Sequence, residues 1–551
     1  MYLKKRYLIL SIAWIVLLLT QSCTMKKRVD TLLTNARIYT MDDSSTVCEA
    51  MVVDQGKVVR TGSADELLAL YEPKNRLDAN EKAIFPGFID AHCHFHGLAL
   101  GLRWVDLVGC TSFKEVLDRI SKSDTLNQDS WITGRGWDQN LWEVKEFPDK
   151  RALDERWPDK PVVLVRIDGH SVLANQVALN RAGIGRDHRY SKGEVEIVNG
   201  KLTGILSETA ADYIRSAIPK PSIEATIDLL KEAEYLCFSQ GLTGVSDAGL
   251  DNATLNLIDS IFQDGILKIH IYAMAEPTEE NIHAYVTNGP YHNGRFHICS
   301  IKLYADGSLG SRTALLKRPY SDDPSKSGIQ VSSPDSIREI CEIAIANDYQ
   351  VNIHCIGDRA VREVLDVYAE YLSIGNDRRW RIEHAQVVDP ADLILFKTYS
   401  IIPSVQATHA TSDMYWAGDR LGPERITWAY AYKELLDQNG WIPNGTDFPI
   451  ERVSPLLTFY AAVARKDVSG YPANGFQPEN SLSREEALKS MTIWAAKANF
   501  EEKEYGSLEP GKWADYVILD QDIMEIPIEE VPVVKVLQTW SHGEKVFNAS
   551  K

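Results

Sequence analysis

The sequence predicts an α/β protein, a (β/α)8 TIM barrel with a small composite β-sandwich domain built from both ends of the chain. Two patterns support this fold class. Eight short apolar runs in the middle of the chain have the character of strands, and helical patterns lie between most of them. That alternation is typical of a parallel barrel. The two ends are instead rich in strand patterns, and 551 residues are more than one small core needs.

The elements are predicted in chain order as follows. Residues 31–84 and 506–549 alternate like strands around turn residues, so they are predicted to form the β-sandwich together. Residues 85–505 are predicted to form the barrel. Its candidate strands are AIFPGFIDAH, GLTGVSDAG, LKIHIYAM, ICSIKLYADG, YQVNIHCIGD, RWRIEHAQ, SIIPSVQ and GWIPNGTDFP. The first two lie too far apart for one crossover, so residues 98–222 are predicted to be an insertion that folds over the barrel mouth.

The first residues have the pattern of an export signal. Residues 1–22 contain a basic start, MYLKKRY, and an apolar run, LILSIAWIVLLL, that is too short to span a bilayer comfortably. The following TQSC resembles the lipobox of bacterial lipoproteins, in which Cys23 would become the acylated first residue. An uncleaved N-terminal anchor is the alternative. We therefore expect a cell-envelope protein that is lipid-anchored to a bacterial membrane, in the periplasm or at the cell surface.

The net charge and the cysteine spacing of the chain disfavour some classes of binding partner. The net charge of −18 disfavours a surface that binds nucleic acid. The cysteines after Cys23 are scattered and lack CxxC spacing, which disfavours a thiolate zinc site or a redox motif. A small-molecule substrate is the expected partner, and a homodimer is a further expectation.

The candidate metal-binding and catalytic residues lie at the ends of the candidate strands. In parallel barrels, functional residues lie at the carboxyl ends of the strands. The first strand ends in FIDAHCHFHG, and alternate residues of a strand face the same side, so His92, His94 and His96 can project together. The later strands contribute Lys302, His354, His384 and Asp447.

Each of these residues has a structural alternative. His354 fits a core histidine and Asp447 a turn cap, while Lys302 fits a salt bridge at the barrel mouth and His384 a pairing with its neighbour Glu383. Together the alternatives are weaker, because separate strands would have to place such groups on one face by chance. Imidazoles and a carboxylate suit zinc, or else manganese, iron or cobalt. The set therefore predicts a divalent metal site.

Several motifs resemble the amidohydrolase superfamily, most closely its third amidohydrolase subfamily, which includes N-substituted formamide deformylases. The motifs are PGFIDAHCHFHG, IKLYADGSLGSRTA, VNIHCIGDRA, RIEHAQ, GTDFPI and LEPGKWADYVILD. They occur in order, and the resemblance covers residues 31–549. It implies a hydrolase of carbon–nitrogen bonds other than peptide bonds, with one or two zinc ions.

The resemblance also implies the role of each ligand. The first metal would be bound by His92, His94 and Asp447, and the second by His354 and His384, with Lys302 as an N6-carboxylated bridge between them. Metal-bound water loses its proton near neutral pH and would become the hydroxide nucleophile. Asp447 would take the proton and pass it to the leaving amine.

Three further residues are predicted to contact substrate. His170, in RIDGHS, is predicted to donate a hydrogen bond to the carbonyl oxygen, with a hydrogen bond to Asp168 as the alternative. Trp137 is predicted to line an apolar pocket, with a core position as the alternative. His96 is predicted to face the substrate or to support a metal ligand.

Two rival functions stay open. The same metals could hydrolyse an ester, a cyclic amide or a phosphoester, because barrels host many chemistries. The protein could also be a non-catalytic binding lipoprotein, although the intact ligand set disfavours this.

Overall fold

A computed structural model describes residues 26–124, 131–167, 171–186, 195–207 and 209–549. Cys23 and the predicted signal lie outside these residues, so the lipid anchor stays a prediction. Within the described ranges, no helix combines the length and apolarity needed to cross a bilayer.

The chain divides into two compact units. The first contains the chain up to Phe95 and again from Glu234 onward, and the second is His96–Ala233. The first unit holds a terminal sheet and a barrel, and the second holds a sheet of its own.

The terminal sheet is mixed and is built from both ends of the chain, which confirms the predicted composite β-domain. In sheet order its strands are Glu544–Asn548, Val536–Ser541, Tyr516–Leu519, Tyr71–Pro86, Lys27–Tyr39, Ala50–Asp54 and Lys57–Gly62, with Val47–Cys48 also paired to Lys27–Tyr39. Successive side chains of Ala50–Asp54 point to opposite faces of the sheet. Met51 and Val53 are buried on one face, and Val52 is buried on the other face, where it packs against the helix Ala64–Leu70.

The barrel confirms the predicted fold class. Its seven regular strands run parallel in chain order, and they are Phe88–Cys93, Leu242–Leu250, His270–Ala275, Phe296–Tyr304, Gln350–Cys355, Arg381–His384 and Ile402–Ser404. We number them one to seven. A short strand, Tyr291–Asn293, pairs antiparallel with strand four. The predicted eighth strand has no regular strand geometry, and Asn444 joins Val405 through a single parallel bridge.

Residues 444–448 close the barrel against strand one. The Asp447 N–H donates to the His92 carbonyl and the His94 N–H to the Phe448 carbonyl, both at 2.8 Å. The buried Asp90 carboxylate accepts hydrogen bonds from the Thr446 N–H at 3.0 Å and the Thr446 hydroxyl at 2.7 Å. Two segments far apart in sequence are therefore joined where the predicted ligands lie.

Helices follow most barrel strands. They are Asn252–Gln263, Glu279–Ala284, Pro334–Ala346, Asp358–Tyr371, Leu393–Thr398, Ala407–Asp413, Ala417–Arg425, Tyr432–Asn439, Pro455–Ala464, Arg484–Ser490 and Ile493–Ala498. Their starts have clear local causes. Ser333 caps the helix that begins with Pro334. Ser483 and Glu486 form a capping box, in which each side chain accepts the other's backbone N–H.

The second unit is an α/β layer of its own. Its strands in sheet order are Val195–Val198, Lys201–Ser207, Ser171–Ala174, Val162–Arg166, Ile132–Trp137 and Val105–Asp106. Its helices are Phe113–Asp124, Arg151–Arg156, Gln176–Arg181 and Thr209–Ser216, while Phe95–Gly101 and Ile223–Ser239 cross the boundaries of the unit. The predicted insertion, 98–222, lies inside this unit. Its position over the barrel mouth stays a prediction.

We expect Gly445→Ala to lower the free energy of unfolding by about 1–3 kcal/mol, as overpacking of a dense core does. An alanine Cβ here would lie 2.5 Å from the His92 nitrogen and 2.7 Å from Asp90 Oδ1, inside the barrel closure. Chemical unfolding followed by fluorescence measures the change. Gly418→Ala is the matched control, because nothing lies within 4 Å of its added Cβ. Equal stability of the two variants would contradict a tight closure.

Candidate metal centre

The carboxyl ends of the barrel strands surround one open cavity of about 390 Å³. All six predicted metal ligands line it: His92, His94, Lys302, His354, His384 and Asp447. The strands bring together groups that are separated by up to several hundred residues in the chain. Their individual roles as ligands stay predictions, and the geometry shows which of them converge.

His92, His94 and Asp447 form the first group, with ligand atoms within 4.8 Å of one another. His92 Nδ1 lies 2.7 Å from a Glu383 carboxylate oxygen, and His94 Nδ1 lies 3.0 Å from the Ala248 carbonyl oxygen. These oxygens accept, so each Nδ1 carries a hydrogen and each neutral ring keeps its lone pair on Nε2. Both Nε2 atoms face Asp447 Oδ1, at 3.7 and 3.2 Å. Burial alone would lower the pKa of His94, but its contact with Asp447 raises it, so a proton on His94 Nε2 or a bound cation can bridge this pair.

His384, His409 and Asp447 form the second group by the same criterion. His409 Nε2 lies 3.5 Å from Asp447 Oδ2. His384 Nδ1 and His409 Nε2 are buried and have no hydrogen-bond partner among the described residues. A buried polar atom without a partner costs stability unless a ligand satisfies it. Asp447 therefore stands between two sets of histidines, one facing each of its oxygens.

Lys302 and His354 lie beside these groups. Lys302 is 1% exposed, and its Nζ lies 3.5 Å from His92 Nε2. Burial lowers the pKa of Lys302 to about 8. In the described part of the chain it forms no ion pair with a carboxylate, so the salt-bridge alternative is not observed. His354 Nε2 lies 3.2 Å from the Gly307 carbonyl oxygen, which leaves Nδ1 with the lone pair, and its ring centroid is 4.5 Å from that of His384.

The charges of the centre favour a cation. Burial alone would raise the pKa of Asp447, but the hydrogen bond from His94 and the nearby histidines outweigh it and hold the value well below its usual range. Burial also opposes ionisation of Glu383, yet the charge and hydrogen bond of His92 lower its pKa to about 2. Burial lowers the pKa of His354 to about 3, so this imidazole is neutral. Carboxylates with neutral imidazoles are a donor set for a divalent metal, and these residues fit one.

Two of the predicted ligands hold unusual backbone conformations. His384 has a φ of 72° and Asp447 a φ of 61°, both in the left-handed region. For residues other than glycine this costs about 1–3 kcal/mol and is concentrated at functional sites. The conformation turns both side chains into the cavity where their strands end.

His409 and Glu383 are the residues that the sequence analysis did not assign to the site. His409 lies in the helix Ala407–Asp413, just after strand seven. The sequence could have indicated His409, because VQATHA places this histidine just after a candidate strand, as in the case of the other candidate residues. Glu383 was considered only as a partner for its neighbour, whereas the structure pairs it with His92.

The three residues predicted to contact substrate have different structural positions. Trp137 is 1% exposed in the core of the second unit, and its indole N–H donates to the Leu164 carbonyl at 3.0 Å. This core position argues against the substrate contact predicted for it. His96 is partly buried in the helix Phe95–Gly101. His170 lies outside the described residues. The roles of His96 and His170 stay predictions.

A parallel barrel that gathers histidines and a shared aspartate at its carboxyl ends defines a metal-dependent hydrolase of the barrel class. Comparison with known families agrees with this class. Residues 76–547 match the model of the amidohydrolase family, and the chain belongs to that family.

Individual relatives align over nearly the whole chain. YtcJ of Bacillus subtilis (strain 168) is 32% identical over 93% of this chain and 98% of its own. The N-substituted formamide deformylase of Arthrobacter pascens is 25% identical over 94% of this chain and 98% of its own. The crystal structure of an uncharacterised metal-dependent hydrolase from Pyrococcus horikoshii OT3 has a TM-score of 0.78 at 30% identity, covering 90% of this chain and 99% of that one.

We expect Glu383→Gln to weaken metal binding about 10–100-fold, the usual effect of losing an outer partner of a ligand histidine. The neutral amide removes the negative charge that fixes His92 Nδ1–H and makes Nε2 a stronger donor. Titration against a metal buffer measures the affinity. Glu370→Gln is the control, because Glu370 pairs with Arg338 at the surface. Unchanged affinity in Glu383→Gln would rule out the proposed support of His92.

Proposed function

We propose that this protein hydrolyses the C–N bond of a small-molecule amide, with N-formyl amines as the first candidates. One observation carries the proposal. Asp447 places one oxygen toward the histidines of strand one and the other toward His409, in a cavity wide enough for a small molecule. A metal-ligand cluster and a proton acceptor are thereby combined in one cleft.

The cavity wall favours neutral or cationic substrates. Leu309, Ile356 and Ile450 contribute apolar surface, and Asp413 and Glu451 contribute carboxyl groups. Among the described lining residues, Lys302 is the only lysine and there is no arginine. Phosphate recognition normally uses arginine or several cations. The wall therefore supports an amide or ester substrate over a phosphoester.

The chain's own residues can move the protons that amide hydrolysis requires. A divalent metal, for which we propose zinc, would supply a polarised carbonyl and a more acidic water. Asp447 accepts a proton on one carboxylate oxygen and delivers it to the departing nitrogen, which must leave as an amine. His409 Nε2 lies 3.5 Å from the other oxygen, close enough to share a bound cation with it. His170 stays a proposed donor to the substrate carbonyl.

The name of one relative supports the choice of bond. The Arthrobacter pascens protein is named for removing the formyl group of N-substituted formamides. Its 25% identity spans almost the full length of both chains. This supports an N-formyl or related N-acyl amine as the substrate class, and an ester or a cyclic amide remains the competing substrate.

We also propose that Lys302 becomes a carbamate. Its neutral amine would attack the carbon of carbon dioxide, form an N–C bond and release one proton, leaving an anion with two oxygens. Support comes from its burial beside His92 without a carboxylate partner in the described residues. An ammonium in that position would repel a bound divalent ion strongly at short range.

Turnover of matched substrates tests the proposed reaction. We expect metal-dependent hydrolysis of N-formyl and N-acetyl amines, and we expect Asp447→Asn to lower kcat about 10²–10⁴-fold because general acid–base transfer is lost. Release of amine is measured. Asp366→Asn, at a half-exposed helix position, is the control variant. Hydrolysis of matched esters alone, or binding of amides without any turnover, would reject the amidase proposal.

The proposed carbamate is tested by removing the Lys302 side chain and then restoring metal binding and activity with a small carboxylic acid. Lys302→Ala should lose most bound metal and activity, and a short carboxylic acid with added metal should restore part of both by supplying the missing oxygens. Lys326→Ala, a surface lysine, should behave as the parent protein. Full metal content and activity in Lys302→Ala, without any added acid, would refute the bridge.

A further inference from the structure

A second cluster of histidines lies at the opposite end of the barrel. It consists of His270, His297 and Glu501, whose ligand atoms lie within 4.8 Å of one another, and we call it the lower cluster. His270 begins strand three and His297 is the second residue of strand four. Glu501 follows the helix Ile493–Ala498. Three separate segments therefore converge on one point.

The lower cluster is distant from the metal centre. His297 and Lys302 belong to the same strand and are five residues apart in sequence. At about 3.3 Å per residue, they are about 17 Å apart along the strand. A ligand at one end can therefore bind or leave without touching the ligands at the other end.

The contact of His297 with a backbone carbonyl oxygen determines which of its ring nitrogens carries a hydrogen. Its Nε2 lies 3.2 Å from the Gly294 carbonyl oxygen, which can only accept, so Nε2 carries a hydrogen. Its Nδ1 lies 2.6 Å from Glu501 Oε1. Burial alone would lower the pKa of His297, but the hydrogen bond and charge of Glu501 outweigh it and raise the value, so a positive charge, either a proton or a bound metal ion, is favoured between these two atoms. Ligand histidines commonly hold their outer N–H on a backbone carbonyl in this way.

Glu501 is a buried carboxylate, 7% exposed, that depends on its neighbours for positive charge. Its second oxygen lies 2.8 Å from His270 Nε2. Within the described ranges, its ion pairs are with these two histidines and none is with lysine or arginine. Among the described residues, the buried His270 Nδ1 has no hydrogen-bond partner, so the hydrogen of this ring belongs on Nε2, which faces Glu501.

We propose that the lower cluster binds a divalent transition-metal ion through His270 Nε2, His297 Nδ1 and the Glu501 carboxylate. The Nε2 hydrogen of His270 and a proton on His297 Nδ1 can also hold these three groups together, and a metal ion would replace both hydrogens. Two imidazoles and one carboxylate suit zinc, cobalt or nickel. The ion would tie strands three and four to the segment that follows the last helix, which is a structural role independent of catalysis.

Two aromatic rings border the lower cluster. Tyr505 stacks on His270 with ring centroids 4.5 Å apart and covers one side. His292, an exposed residue, lies on another side, with its ring 4.4 Å from that of His297. An imidazole in this position can complete the coordination of an ion that arrives from solvent.

Metal counting in the full-length, untagged protein tests the proposal. The background variant His94→Ala with His384→Ala and Asp447→Asn removes predicted ligands of both metals in the metal centre, so the result does not depend on the proposed reaction. After equilibration with zinc, this background should still hold one ion per chain by mass spectrometry of the metal, and zinc should raise its Tm by several degrees. Adding Glu501→Gln, which keeps the size of the side chain, should remove both effects. His283→Ala is the matched control, because His283 lies in the separate helix Glu279–Ala284.

Variants in the otherwise unaltered protein provide the second measurement. His297→Ala and Glu501→Gln should each lower the metal content by one ion per chain and leave amide turnover per remaining ion unchanged. Circular dichroism identifies a variant that fails to fold, and the other variant then decides the result. If the lower-cluster variants hold as much zinc as their parents, or zinc leaves Tm unchanged in the background variant, the cluster is held by a proton and the proposal is overturned.

Discussion

Asp90 accepts hydrogen bonds from the backbone and side chain of Thr446 inside the barrel wall, and the geometry of the metal centre depends on this contact. It fixes the segment that carries Asp447 to the strand that carries His92 and His94, where no regular eighth strand completes the sheet. Because the carboxylate is buried, breaking these hydrogen bonds would cost more than an exposed pair does. Asp447, a predicted ligand, is thus held against strand one by hydrogen bonds, although its own segment has no regular strand geometry.

The histidines at both ends of the barrel follow the same electrostatic rule. In His92, His94 and His297, one ring nitrogen is held by an outer oxygen, and the other faces a carboxylate. This arrangement favours a positive charge between the ring and the carboxylate, which either a proton or a bound cation can supply. The outer partners, Glu383 in particular, are as much a part of the chemistry as the ligands themselves.

The sequence predicted the barrel well, because parallel strands buried on both faces appear as short apolar runs and because chemistry-bearing residues follow them. Seven of the runs are regular strands. The eighth, around Asn444, is joined to strand seven by one isolated bridge rather than by a regular ladder. A pattern of hydrophobicity cannot predict that difference. His409 was missed because it belongs to a helix after strand seven rather than to the strand. The pairing of Glu383 with His92 joins residues 291 apart in the chain, and the lower cluster joins three distant segments, so neither follows from local spacing.

The left-handed backbone of His384 and Asp447 has a consequence for the protein's evolution and engineering. Glycine adopts this conformation without the steric penalty that side chains incur. At these two positions a change that destroys the site can therefore make the folded chain more stable. Selection for thermal stability alone would favour the loss of these two side chains, whereas selection for turnover would retain them if they are ligands as predicted.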